Sequence, residues 1–292
     1  MSKILNNKLI LGTVQMGLPY GINNTTGKIS LVDSIRILEY AYNNGIGILD
    51  TAEAYGNAHK VIGVFHDKNP TKIFRVITKL PNQINEDIVQ KVGSYLCELK
   101  IKQVDTLLFH SYASYISNIK NFDVLKKLKS DRKIKNIGVS VYTNEEIESV
   151  ILNEDIDIIQ LPFNLFDNIN LRKTVLEKAK SKGKIIHTRS ALLQGLFFKD
   201  PNDSKNTVQK LKNELRLLNT LSEENSASIS QLALSYCLQQ ENIDNVLIGV
   251  DSIRQLKENV KAVNYKIEPK TVDSINTIKV QDLDLLNPSL WK

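Results

Sequence analysis

The sequence predicts an eight-stranded parallel (β/α)8 barrel, a TIM barrel, with extra helices before the last strand and residues 1–292 forming one domain. Three observations lead there. Short aliphatic runs recur eight times along the chain, each is followed by a longer amphipathic stretch, and each closes on a polar residue or, in the last, is followed directly by one. Strands alternating with helices imply parallel pairing through right-handed crossovers, and eight such units close most simply into a barrel.

In order, the runs are KLILGT (8–13), GIGILD (45–50), FRVITK (74–79), DTLLFH (105–110), IKNIGVS (134–140), DIDIIQ (155–160), GKIIHTR (183–189) and NVLIGV (245–250). Between them, LVDSIRILEYAYNN (31–44) places Val32, Ile35, Leu38 and Ala41 at helical spacing. EDIVQKVGSYLCELK (86–100), NEEIESVIL (144–152) and RKTVLEKAKSK (172–182) follow the same pattern, the last stopped by Gly183. Roughly 55 residues separate Arg189 from Asn245, against about 20 to 40 from run to run elsewhere. That gap holds two amphipathic helices, 205–225 and 228–240, where a minimal barrel needs one. An open doubly wound sheet is the alternative, but no GxGxxG turn follows any of the eight runs.

Composition narrows the function classes. A chain of 292 residues with 42% hydrophobic content can bury a large core. Its apolar runs are far shorter than the roughly 20 residues that span a bilayer, and MSKILNNKL lacks the apolar stretch of a secretion signal. Cys97 and Cys237 lie far apart in helix-like patterns, which reads as two buried thiols of a reduced, cytoplasmic protein. The net charge of +6 is dispersed. The densest basic stretch, LKKLKSDRKIK (125–135), follows a helical pattern without aromatic interleaving, so no nucleic-acid partner is expected.

The residues closing the runs are Thr13, Asp50, Lys79, His110, Ser140, Gln160, Arg189 and, one past the last, Asp251. In a parallel barrel these ends converge on the face that carries the active site. A carboxylate, an ammonium and an imidazole on consecutive strand ends, with Tyr55 five residues beyond Asp50, make a proton-donating set. A phenol with pKa near 10 is a weak acid at neutral pH, and a lysine ammonium close by stabilises its anion by roughly 1–3 pKa units. Asp50 would hold that ammonium, and His110 would orient a substrate oxygen. There is no serine–histidine pair, no paired carboxylates and no metal-ligand cluster. A carbonyl oxygen that takes a proton also needs a hydride, so a nicotinamide cofactor is implied.

LDTAEAYGNAHKVIG, ITKL, LLFH, IGVS, IQLPFN, RSALLQGL and LKENV, in this order, resemble the aldo-keto reductase superfamily from near residue 8 to about residue 260. The resemblance implies a barrel that binds NAD(P)H without a Rossmann motif, with Asp50, Tyr55, Lys79 and His110 as the catalytic tetrad and Tyr55 as proton donor. It implies that Ser140 and Gln160 hold the nicotinamide carboxamide, and that Gly12 and Thr13 lie near the nicotinamide ribose. Ser190, Leu192, Gln194 and Gly195 would follow the pyrophosphate, and Gly249, Val250, Asp251, Gln255, Glu258 and Asn259 would surround the adenosine end. Three departures stand out. Val141 follows Ser140 where the family often has Asn, and Arg189 stands where an aromatic ring often stacks on the nicotinamide. Asp251 and Gln255 replace the cations that many members set against the 2′-phosphate, with Arg254 pointing about 100° away from Gln255.

The expected function is NAD(P)H-dependent reduction of a small, polar aldehyde, ketone or sugar-like substrate, with NAD and NADP both open and the same residues able to serve a dehydrogenase or isomerase. The rival class is a cofactor-binding regulatory subunit without turnover. Of the strand-end aromatics Tyr20, Tyr55, Tyr112, Phe163 and Phe166, only Tyr55 is assigned chemistry. Trp291 is a candidate lid wall over the barrel mouth or an oligomer contact.

Overall fold

All eight runs become strands: β1 Leu9–Gly12, β2 Ile48–Asp50, β3 Arg75–Leu80, β4 Val104–Phe109, β5 Ile134–Ser140, β6 Ile158–Pro162, β7 Ile185–Arg189 and β8 Asn245–Ile248. Each pairs in parallel with the next, and β8 returns to β1 with Ile10 opposite Leu247, so the sheet closes and has no open edge. This is a computed structural model that describes residues 7–291; Lys292 and residues 1–6, which begin the stretch read for a secretion signal, lie outside the described residues.

The helices are α1 Val14–Gly17, α2 Leu31–Asn43, α3 Ala58–Lys68, α4 Ile88–Leu99, α5 Tyr112–Ser117, α6 Phe122–Ser130, α7 Asn144–Ile151, α8 Ile169–Ser181, α9 Asn206–Lys210, α10 Lys212–Glu224, α11 Ile229–Leu238, α12 Ile253–Ala262 and α13 Pro269–Asn276. Side-chain caps start several of them: Ser30, Asp87, Thr143 and Ser252 each accept from the backbone N–H three residues on. Gly183 ends α8 as its sequence position implies. At φ +71° its N–H reaches Lys180 O at 2.9 Å and the next N–H reaches Ala179 O at 3.0 Å, a Schellman turn that sends the chain into β7.

Successive strand residues point to opposite faces. One set packs outward against the helices in the main core. The other set, Ile10, Ile48, Ile77, Leu108 and Ile158 with Leu247, forms a separate apolar plug inside the barrel. Two residues further along the same strands stand Gly12, Asp50, Lys79, His110, Gln160 and Gly249. The period of two therefore lifts the strand-end residues into the lumen directly above the plug.

Four sequence expectations are corrected. The 205–225 stretch breaks at Leu211 into α9 and α10, so three helices, not two, fill the gap before β8. α11 is not amphipathic: Leu232 to Cys237 are all buried, because α10, α12 and the carboxyl-terminal segment enclose it. Cys97 is exposed, since it lies on the outer face of α4, and only Cys237 is a buried thiol. The basic 125–135 stretch is one helix end, a turn at positive-φ Arg132, and the start of β5. Among the described residues no helix is long and apolar enough to cross a membrane.

Three histidines are locked in the fold. His66 ties α3 to the end of α4 and to the entry of β3, its Nδ1 lying 2.7 Å from Leu99 O while its Nε2 accepts from Phe74 N–H at 3.1 Å. His59 Nε2 pairs with Thr78 Oγ1 at 2.8 Å, and His187 sits inside the lumen. Burial pushes all three imidazoles below the ordinary histidine range, His187 down to about 4. The unfolded chain, whose histidines titrate near 6.5, then binds more protons than the folded one between about pH 6.5 and pH 4. Stability present above pH 6.5 is lost on acidification, with a slope of up to ~1.4 kcal/mol per pH unit for each such group. The urea midpoint is expected to fall steadily from pH 7 to pH 4.5, and His187→Gln to flatten that slope; a midpoint constant over this range contradicts it.

Candidate active site

Lys79 is the centre of the site. It stands one residue before the end of β3 with its side chain only 3% exposed, ion-paired to Asp50 from the neighbouring strand β2. Its Nζ also donates to Thr51 O at 3.0 Å and lies 3.5 Å from the Tyr55 hydroxyl. Burial alone works against the ammonium, but Asp50 and Tyr55 outweigh it and hold Lys79 above the ordinary lysine range. The other Asp50 oxygen accepts from Gln160 Nε2 at 2.9 Å, and Thr13 Oγ1 donates to the Asp50 carbonyl at 3.0 Å. The Asp50 carboxylate thus ties β2 to β3 and β6, while its backbone carbonyl holds the residue that follows β1.

Tyr55 stands on the β2–α3 loop, and two features hold it there. Glu53 accepts from Lys91 Nζ at 2.9 Å and from the Tyr95 hydroxyl, both on α4. Gly17 lies flat against the Tyr55 carbonyl, where a β-carbon would overlap the backbone. His110 presents its ring to Tyr55 nearly edge-on, centroids 6.1 Å apart. Burial and the Lys79 charge push its imidazole down to about 4, so at neutral pH it is an uncharged hydrogen-bond partner.

Asp50, Tyr55, Lys79 and His110 face a cavity of about 690 Å³ that runs across the barrel mouth. It gathers Gly12, Thr13, Asp50, Ser140, Gln160, Arg189, Ser190, Leu192, Gln194, Gly195, Gly249, Asp251, Gln255, Glu258 and Asn259. Of the tetrad and cofactor-binding residues expected from the sequence, only Val250 does not line it; it is 2% exposed and faces the core. The β7 end is wound tightly, with Ser190, Leu193 and Gln194 at positive φ, a clustering of backbone strain typical of functional loops.

The β1–α2 loop, absent from the sequence reading except for Tyr20, reaches across this cavity. Gln194 Nε2 donates to the Tyr20 hydroxyl at 2.6 Å, Asn23 Nδ2 to Gly195 O at 2.6 Å, and Asn24 Nδ2 to Asp251 Oδ1 at 3.3 Å. Burial pushes the Tyr20 phenol up to about 12, so it stays protonated. Arg254 lines the cavity beside Gln255, contrary to the helical-wheel expectation, because both lie in the first turn of α12 at the rim. Gln255 Oε1 is taken by the Asp251 N–H at 2.6 Å, and Ser252, not Asp251, caps α12. Lys257, the other cation available, lies over the Tyr40 ring at 5.6 Å.

The remaining aromatics are structural. Phe163 stacks on Tyr236, Phe166 meets Phe197 edge-on, and Tyr112 donates to Ser149 at 2.9 Å. Trp291 Nε1 donates to Leu285 O at 3.0 Å and its ring packs on the core; Pro288, not the tryptophan, reaches the cavity.

Barrel, lumen pair and mouth cavity define a class of barrel oxidoreductases, and comparison with known proteins agrees. The Aldo/keto reductase family model matches residues 8–280, and the chain belongs to that family. It is 26% identical to an NADH-specific methylglyoxal reductase of Escherichia coli, the match covering 89% of this chain and 91% of the relative. It is 25% identical to an L-galactose dehydrogenase of Arabidopsis thaliana, over 92% and 91% of the two chains. The holo form of aldo-keto reductase AKR11C1 from Bacillus halodurans shares the fold with a TM-score of 0.76 at 18% identity, over 93% and 91% of the chains. The family's oxidoreductases use NAD(P)H.

The Gly17–Tyr55 contact can be tested directly. Gly17→Ala is expected to cost about 1–3 kcal/mol by forcing two backbone segments apart, read as a lower urea midpoint. Gly93→Ala, where the added carbon meets nothing, is the control and is expected to leave the midpoint level or raise it.

Proposed function

We propose that the protein reduces a small aldehyde or ketone to the alcohol with NAD(P)H, Tyr55 giving the proton. The observation that carries this reading is a single ammonium, Lys79, buried in contact with both the Asp50 carboxylate and the Tyr55 hydroxyl. A reduced nicotinamide, when bound, supplies the hydride. The Tyr55 O–H points its proton at the carbonyl oxygen as negative charge develops there, and the Lys79 ammonium stabilises the phenolate left behind. Asp50 keeps Lys79 charged and in place. Neutral His110 donates an N–H to the same carbonyl oxygen and fixes the carbonyl's direction.

The chain has the groups to hold the cofactor's carboxamide. Gln160 is fully buried, its Nε2 is used by Asp50, and its Oε1 has no partner in the described structure. An orphaned buried acceptor costs about 1–3 kcal/mol, which an amide N–H relieves. Tyr55→Phe is expected to lower turnover 10²–10⁴-fold with cofactor affinity nearly unchanged, because the lost proton acts in the transition state. Turnover within a few-fold of the parent would remove Tyr55 from the role.

For the choice of dinucleotide, we infer NADH. Burial raises the Asp251 carboxyl above the usual range, though Gln255 partly offsets it, and this acid at the cavity's far end would repel a 2′-phosphate and accept from a ribose hydroxyl. Arg254, 85% exposed, is the single cation lining that end among the described residues. NADH is expected to bind at least several-fold tighter than NADPH, with Asp251→Ser narrowing the gap. A tenfold preference for NADPH that Asp251→Ser leaves unmoved contradicts this reading.

A further inference from the structure

We propose that Arg189 makes this site distinguish the redox states of its nicotinamide cofactor, retaining the reduced, neutral ring and expelling the oxidised cation. The proposal rests on the cofactor reading above. Arg189 ends β7 at the cavity wall, with its guanidinium carbon 4.0 Å from the centre of the Tyr142 ring. Its Nη2 donates to Val141 O at 3.1 Å and its Nε lies 3.4 Å from Ser140 Oγ.

The platform beneath it is rigid. Glu146 accepts from the Tyr142 N–H at 2.6 Å, and Arg172 donates to the Tyr142 carbonyl at 2.7 Å. One face of the guanidinium is therefore covered, and its position against Ser140 is fixed.

Its charge is not cancelled. Among the described residues no carboxylate lies within 4.0 Å of Arg189. The acids nearby are committed: Asp50 to Lys79, and Asp167 to Arg172 at 2.6 Å. His110 is uncharged. A surplus positive charge thus remains at the β7 end.

The orphaned Gln160 Oε1 and the Ser140 hydroxyl, on adjacent strands and in register, are the groups that would hold the carboxamide. Because Arg189 Nε already lies 3.4 Å from Ser140 Oγ, a ring whose carboxamide is held there would lie within a few ångströms of the guanidinium. When the reduced ring gives up a hydride, one hydrogen nucleus with two electrons goes to the carbonyl carbon, and the ring left behind bears a unit positive charge. Two positive charges about 5 Å apart, at an effective dielectric of roughly 20–40, disfavour the oxidised form by about ten- to a few hundred-fold. Each tenfold raises the potential of the bound couple by about 30 mV.

The test is isothermal titration of the full chain with NADH and with NAD⁺, in the parent, in Arg189→Met and in Arg189→Lys. The parent is expected to bind NADH at least tenfold tighter. Arg189→Met keeps the side-chain length without the charge and is expected to lower that ratio at least tenfold, chiefly by tighter NAD⁺ binding. Arg189→Lys keeps the charge and is expected to stay within about threefold of the parent. Arg189→Gln carries the same expectation as Met should the latter not fold. A parent ratio near one, or a ratio unmoved in the uncharged variant, overturns the role of Arg189 alone. Binding of neither form, nor of NADPH and NADP⁺, overturns the cofactor reading and this proposal with it.

Discussion

The buried ion pair between Lys79 and Asp50 is the constraint on which the upper half of the barrel depends. An ammonium taken out of water is costly unless a charge meets it and its remaining protons find acceptors. Here the carboxylate, the Thr51 carbonyl and the Tyr55 hydroxyl meet those needs, and the second carboxylate oxygen is satisfied by Gln160. Removing any one partner leaves a buried polar group exposed to nothing. The same contacts that make the pair tolerable fix the phenol beside the ammonium, so structural satisfaction and chemical arrangement are one network.

What makes such a network affordable is the plug below it. Ile10, Ile48, Ile77, Leu108, Ile158 and Leu247 fill the barrel's middle and close it to water from beneath. Gly12 and Gly249, at equivalent heights above the plug, line the cavity on the β1 and β8 side, with Gln15 packed against Gly249, and the cavity extends from there along the strand ends. The site is therefore asymmetric: an ion pair on β2 and β3, a neutral imidazole after β4 and a lone guanidinium on β7, with the open side at β8 and β1.

Two outer networks hold its walls. On the β2 side, Glu53 with Lys91 and Tyr95 pins the loop that carries Tyr55. On the β5 side, Glu146, Arg172 and Asp167 pin the loop that carries Tyr142 and, through it, Arg189. The β1–α2 loop then bridges to Gln194, Gly195 and Asp251, joining the ends of β7 and β8 across the cavity. These contacts are polar and partly solvated, so the bridge is held by a few hydrogen bonds, unlike the packed lumen.

The strands, their order and the polar residues at their ends were legible in the chain itself, because a closed parallel barrel repeats one local pattern and its period of two assigns each strand-end residue to the lumen. Asp50, Lys79 and His110 follow from that rule, and Tyr55 from its place in LDTAEAYG. Contacts made across the fold were not legible. Nothing local marks Glu53 as the anchor of the Tyr55 loop, Tyr142 as the platform of Arg189, or Asn23 as the partner of Gly195, 172 positions away. Periodicity also missed that α11 is enclosed on every side and that Cys97 faces outward, since burial depends on what packs from elsewhere, and the resemblance misplaced Val250, which faces the core. Sequence alone determined which chemistry-bearing groups crown the barrel, through backbone alternation; only the tertiary structure decided which are paired, which are held rigid and which keep an uncancelled charge, because those outcomes depend on distances between segments that local pattern does not set.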